Sequence, residues 1–260
     1  MTGLLVLEYD GGEFAGWARQ PGARTVQEEV ERALAVVLRV DTVALSIAGR
    51  TDAGVHAWGQ VASYEGAPAS VRSLNALLPD DVAALECVGA DEGFDARRDA
   101  TSRAYCYRVL ARVTRGALER RRMLHWPFAL DLAVLHECAA ALVGVQDFTA
   151  FTPSRTDHVR FERHVMAAFW RESGSGVLEF WIEADAFMRQ MNRVLVGTML
   201  RVAGRGSSGD DARDPVADFV SLLSGQPRSA AGPTAPPHGL YLAGVGYRDE
   251  RVLPATVTNV

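Results

Sequence analysis

Short apolar runs of strand length and two helical stretches succeed one another between residues 3 and 88 in the order β, α, β, β, α, β. That order constrains the fold more than any other feature of the chain. Strands that adjoin one another as well as alternating with helices build a sheet with antiparallel pairs, covered by helices on one face. Gly3 to Asp10 reads as the first strand and Asp10-Gly11-Gly12 as the turn that ends it. Thr25 opens an expected capping box with Glu28, and Val26, Val30, Ala33, Leu34 and Val37 recur on one face, which predicts a helix from Val26 to Leu38. Val43 to Gly49 and Gln60 to Tyr64 read as neighbouring strands. Ser70 caps a short helix that ends before Pro79, and Val82 to Val88 reads as a further strand.

A second series starts with a strand from Tyr105 to Ala111. A helix from Leu132 to Val143 follows, capped by Asp131 and stopped by Gly144. Arg160 to Arg171 and Val177 to Glu183 bracket Ser173-Gly174-Ser175-Gly176, which predicts a hairpin. Phe187 to Ala203 reads as a long helix, Asp214-Pro215 caps the next one, and Leu242 to Tyr247 is the closing strand. The expectation is an α+β chain of two similar halves, residues 1–100 and 101–260, each with an antiparallel sheet and helices covering one face.

With 260 residues, 48% of them hydrophobic, the chain can bury a substantial core. No apolar run approaches the roughly 18 residues of a membrane span. The N-terminus lacks a basic region ahead of its apolar run, so no signal peptide is expected and the cytoplasm is the default location. Cys87, Cys106 and Cys138 are odd in number and widely spaced, which suits small core residues better than disulfides or a metal site. The net charge of -5 disfavours a polyanionic partner at long range. Local distribution says otherwise: all 27 basic residues are arginine, and Arg97 to Arg122 holds nine of them against Asp99 and Glu119.

The densest candidate for chemistry is Gly49-Arg50-Thr51-Asp52-Ala53-Gly54-Val55-His56-Ala57, which leaves a predicted strand and enters a loop. Its two glycines permit positive φ and close approach of a ligand. An extended backbone would put Arg50 and Asp52 on one face, where the cation keeps the carboxylate ionised, as a nucleophile requires. The competing reading is a tight turn with an ion pair, and the residues alone leave the two about even. Other patterns are weaker. Gly204-Arg205-Gly206-Ser207-Ser208-Gly209 matches a dinucleotide-binding string but follows a helix and precedes Asp210-Asp211, where a pyrophosphate would meet like charge. His136-Glu137 starts a zinc-protease pattern that Ala140 breaks, so no metal is expected.

The nonapeptide resembles the signature of the bacterial tRNA pseudouridine synthase A family. The likeness continues through Tyr9-Asp10-Gly11, Gly16-Trp17, Thr25-Val26-Gln27, Gln60-Val61, Asn75, Leu78-Pro79, Phe94, Ala96-Arg97, Arg103, Tyr105, Tyr107, Asp147-Phe148, Phe187, Met191, Arg193, Gly197, Ala235-Pro236 and Gly239-Leu240. Ala18, Asp95 and Asn192 depart from the pattern, where Gln, His and Val are usual. The resemblance implies an isomerase that converts uridine to pseudouridine in the anticodon stem-loop of tRNA, at positions 38, 39 and 40, without a cofactor. It implies Asp52 as nucleophile, Tyr105 facing the flipped uracil, Arg50 and Leu240 as further substrate-binding residues, an active-site cleft between the halves, and a homodimer assembled through the second. Without it, Tyr105 reads as sheet packing and Leu240 as core. A non-catalytic RNA-binding protein and a hydrolase with a carboxylate nucleophile are the competing functions.

Overall fold

A computed structural model describes residues 1–156, 158–206, 214–248 and 250–254 of the chain. In chain order the elements are β1 (Thr2–Tyr9), α1 (Val26–Leu38), β2 (Ser46–Ile47), β3 (His56–Glu65), α2 (Val71–Asn75), β4 (Val82–Ala90), β5 (Ala100–Leu110), β6 (Leu124–His125), α3 (Leu132–Ala140), β7 (Gly144–Asp147), β8 (Glu162–Glu172), β9 (Val177–Ala184), α4 (Met191–Gly206), α5 (Pro215–Ser221) and β10 (Leu240–Tyr247). Among the described residues, four short 3₁₀ turns lie between them. Helices and mostly antiparallel strands make this a mixed α/β chain. Two compact units divide it: Met1–Arg103 with Tyr241–Val252, and Ala104–Leu240 with the residues from Leu253 on. Among the described residues no helix is long and apolar enough to cross a membrane.

The first unit is built on β1, whose Gly3, Leu5, Leu7 and Tyr9 are buried on one face while Glu8 is exposed, the period-two pattern of a half-covered strand. β1 pairs antiparallel with β3 on one side and β4 on the other, and β10 joins β3 in parallel through Tyr241↔His56 and Leu242↔Ala57. Asn75 ties α2 to β4 by donating to the Ala84 carbonyl at 2.9 Å and accepting from its N–H at 2.7 Å.

α1 covers Val26 to Leu38 as the spacing predicts, and buries Val26, Val30, Ala33 and Leu34. Its expected capping box does not form. Thr25 makes no side-chain cap bond, and its buried hydroxyl has no hydrogen-bond partner among the described residues. The orphan donors of the first turn instead go to main-chain carbonyls of an earlier loop, Val26 N–H to Gly16 O at 3.3 Å and Gln27 N–H to Trp17 O at 3.0 Å. The helix start and the Gly16-Trp17 segment are thereby locked together.

In the second unit the strand order is β5-β9-β8-β7, with β6 laid in parallel on the end of β5. α3 packs against α4, α5 and β8. The caps at Asp131, which accepts from Ala133 and Val134 N–H, and at Asp214, which accepts from Val216 N–H, form as the sequence indicates. The β8–β9 hairpin turns through Ser173–Gly176, with positive φ at Gly174, Ser175 and Gly176.

Several boundaries shift. The strand expected over Val43–Gly49 shrinks to two residues, because only Ser46 and Ile47 find ladder partners on β3, which itself starts four residues earlier than predicted. α3 ends at Ala140. α4 starts at Met191, because Gln190 has a left-handed φ of 61° that a helix interior does not accept. Gly204 is helical, and most of the glycine string after it lies outside the described residues.

Candidate active site

Asp52 sits where the chain turns from the end of β2 into β3. Val55 N–H donates to Asp52 O at 3.1 Å, and Gly54 supplies the left-handed φ of 77° that the third position of such a turn demands. Asp52 is half-buried, Arg50 is exposed, and Thr51 between them is buried. Of the two glycines expected to take positive φ, only Gly54 does.

The surroundings of this turn explain why it has one shape. Thr51 O accepts from Trp17 N–H at 3.1 Å. Gly16, at φ 108°, lies so near that a Cβ there would come within 2.9 Å of Thr51 O and 3.2 Å of Ala53 N. Tyr9 OH is 2.8 Å from Thr51 Oγ1, and Gln60 Nε2 donates to Gly49 O at 2.7 Å. At the exit of the turn, Gly11 N–H donates to His56 Nδ1 at 3.0 Å. Asp10 Oδ1 lies equally near that nitrogen and also accepts from Gly12 N–H. The Nδ1 nitrogen of His56 therefore faces both an N–H and a carboxylate oxygen, and its protonation decides whether it accepts from Gly11 or donates to Asp10. His56 stacks on Tyr241 at 4.7 Å, and Trp58 stacks on the same ring at 4.3 Å.

Tyr105 and Leu240 belong to the second unit. Tyr105 lies on β5 with 8% of its surface exposed, its ring edge-on to Phe187 at 5.0 Å. Leu240 is buried at the first position of β10. The approach to Leu240 is fastened to its surroundings by hydrogen bonds and by close packing. Tyr107 OH donates to Pro236 O at 2.8 Å, and Arg193 Nε donates to Ala235 O at 2.7 Å. Gly197 and Gly239 leave no room for a Cβ, the first against the Pro233 carbonyl and the second against the Tyr107 ring. Burial pushes the Tyr107 phenol well up from its usual value, so it remains a donor.

A family model described as tRNA pseudouridine synthase matches residues 138–248. Proteins named tRNA pseudouridine synthase A are similar over nearly the whole chain. One from Chromobacterium violaceum is 41% identical over 256 residues, 96% of this chain and 95% of its own. One from Myxococcus xanthus is 40% identical, covering 94% and 91%, and one from Bacillus subtilis is 38% identical, covering 93% and 97%. The chain belongs to the tRNA pseudouridine synthase family. It is accordingly an isomerase.

Many of the family landmarks in the first unit converge on one place. Tyr9, Gly11, Gly16, Trp17 and Gln60 all touch the Asp52 turn or its two ends, and Val26 and Gln27 hold Gly16 and Trp17. Arg103 Nε adds a bond to Ala48 O at 3.0 Å, just before it. Sequence reasoning picked out these residues but not their work, because each acts through contacts distant in the chain. Asp95, a departure from the family pattern, has a local task. Its carboxylate accepts from Arg98 N–H at 2.8 Å and Arg97 N–H at 2.9 Å, and these bonds hold its pKa below the usual carboxylate range. Asn192, another departure, is buried with its side-chain oxygen unpartnered among the described residues.

The arginine-rich stretch divides by burial. Arg103 and Arg108 are partly buried, Arg103 bonded to main-chain carbonyls and Arg108 3.4 Å from Glu179. Arg112, Arg115, Arg120, Arg121 and Arg122 lie on the connection between β5 and β6, more open to solvent.

Proposed function

We propose that this isomerase acts on the anticodon stem-loop of tRNA, at uridines 38, 39 and 40, with Asp52 as its nucleophile. The observation that carries this reading is the Asp52 turn itself, a half-buried carboxylate on a backbone fixed from both sides. A nucleophile needs that pre-organisation more than an ordinary surface turn does.

The reaction breaks the N1–C1′ bond of uridine, rotates the uracil and forms a C5–C1′ bond. The hydrogen on C5 leaves as a proton and N1 gains one, so no oxidant, reductant or energy source enters. The Asp52 carboxylate adds to C6 of the base or attacks C1′ of the ribose, and in either route it holds covalently a fragment that would otherwise be lost. The base must leave the stack to be reached. Arg50, exposed beside the nucleophile, suits backbone phosphate or the space the base vacates. Tyr105 offers the uracil a ring and a hydroxyl, and Leu240 an apolar wall. The arginines between β5 and β6 supply the local positive field, and a homodimer, which the family resemblance suggests, would present that field twice to an L-shaped polyanion.

Release of tritium from tRNA carrying C5-labelled uridine tests the reading. Release is expected without chain cleavage, and it should fall stepwise as uridines 38, 39 and 40 are replaced by cytidine. Release that ignores those replacements removes the anticodon assignment.

A further inference from the structure

Resting on the reading of Asp52 as nucleophile, we propose that Thr51 is its positioning residue, with a hydroxyl anchored by a buried hydrogen-bond chain that runs from Gln60 through Tyr9. Gln60 is fully buried, and its side-chain nitrogen has two hydrogens. One goes to Gly49 O at 2.7 Å and the other to the Tyr9 oxygen at 3.3 Å, while Gln60 Oε1 accepts from Val61 N–H at 3.2 Å. The Tyr9 oxygen therefore already accepts a bond from Gln60, and it shares a second hydrogen bond with Thr51 Oγ1, 2.8 Å away, in a site where Tyr9 is only 4% exposed.

The Thr51 hydroxyl is thus tied into a buried network on the residue that immediately precedes Asp52. Burial also raises the Tyr9 phenol to about 12, so it stays protonated across the working pH range. The Thr51 main chain is fixed separately, by Trp17 N–H and by the absence of a side chain at Gly16. Side chain and main chain of Thr51 are thus anchored from different elements, and together they fix the peptide that carries Asp52.

A merely structural network and a positioning network make different predictions for kcat and KM. In single-turnover tritium release, Thr51→Val, which keeps the shape and removes the hydroxyl, should slow the reaction about ten- to a hundredfold while tRNA affinity stays within about twofold. Thr51→Ser should restore most of the rate. Tyr9→Phe should fall between them, with KM unchanged. A wild-type rate for Thr51→Val, or equal losses for Val and Ser, overturns the proposal. If Thr51→Val does not fold, Tyr9→Phe decides, since it removes the hydroxyl that joins Thr51 to Gln60, and an unchanged kcat overturns the proposal. Asp52→Asn in the same assay separates the two readings. Turnover there means the nucleophile assignment has failed, whereas a silent Asp52→Asn beside a normal Thr51→Val removes the positioning role alone.

Discussion

The turn from Gly49 to Val55 and the connection from Ala111 to Met123 hold most of the residues with functional promise, and they are built by opposite means. Main-chain and buried side-chain bonds from Tyr9, Trp17 and Gln60 fix the first, and Gly16 packs against it too closely to admit a side chain. The second is held at its ends, by Ala111 N–H to Gly176 O at 2.7 Å and by Arg122 and Met123 N–H to Glu119 O. Between them it leaves Val113 83% and Leu118 94% exposed along with its arginines. Bond-making chemistry needs atoms placed to a fraction of an ångström, whereas phosphate neutralisation works through a field that long side chains deliver from many rotamers. Changes to the first region should therefore strike turnover, and changes to the second should strike affinity.

The sharpest way to break that contrast short of replacing Asp52 itself is Gly16→Ala. It combines a φ of 108° with a clash against the Thr51 carbonyl. We expect a loss of about 1–3 kcal/mol of stability and a turnover reduced about a hundredfold, with the salt dependence of tRNA binding unchanged. Thermal unfolding and single-turnover release measure the two halves of that statement. A fully active, equally stable variant would mean the turn is not held from this side.

Replacing Arg120, Arg121 and Arg122 together by Ala should do the reverse. The slope of log affinity against log salt should flatten by up to about one unit for each phosphate no longer neutralised, while turnover at saturating tRNA is kept. Salt titrations check it, and an unchanged slope would show that the RNA lies elsewhere. Tyr105 should give a smaller, mixed effect. Tyr105→Phe keeps the ring that packs on Phe187 and should lower turnover a few-fold with little change in binding, while Tyr105→Ala should lose stability as well. Near-normal rates for both would confine this ring to packing.

The smallest effect belongs to Thr25→Val. An N-cap threonine ordinarily contributes about 1 kcal/mol, but here the hydroxyl makes no bond, so chemical denaturation should move by no more than about 0.5 kcal/mol. A full capping loss would mean that Gly16 and Trp17 carbonyls do not hold the start of α1.

That case also marks how far the sequence could be read. Caps at Ser70, Asp131 and Asp214 were legible because donor and acceptor lie within three residues of each other. Thr25 misled because the start of α1 is held instead by Gly16 O and Trp17 O, which accept from the Val26 and Gln27 N–H groups and come from a loop that local pattern cannot place. β2 is shorter than its apolar content suggests for the related reason that strand length is set by ladder partners. The Asp52 turn was visible as a string of small residues around a carboxylate. Its support from Tyr9 and Gln60 was not, because the two lie 42 and 11 positions away from their partners Thr51 and Gly49 in the chain and meet them only through folding. Family likeness pointed to those residues without giving their roles.

The contrast rests most heavily on Asp52, and Asp52→Asn addresses it directly because the change keeps shape and removes the charge. Tritium release and the salt-dependent tRNA affinity should be measured on the same preparation. Release should be abolished, affinity should stay within a few-fold of the parent protein, and the salt slope should be unaltered. Substantial residual release with normal affinity would contradict this and take Asp52 out of the bond-making step.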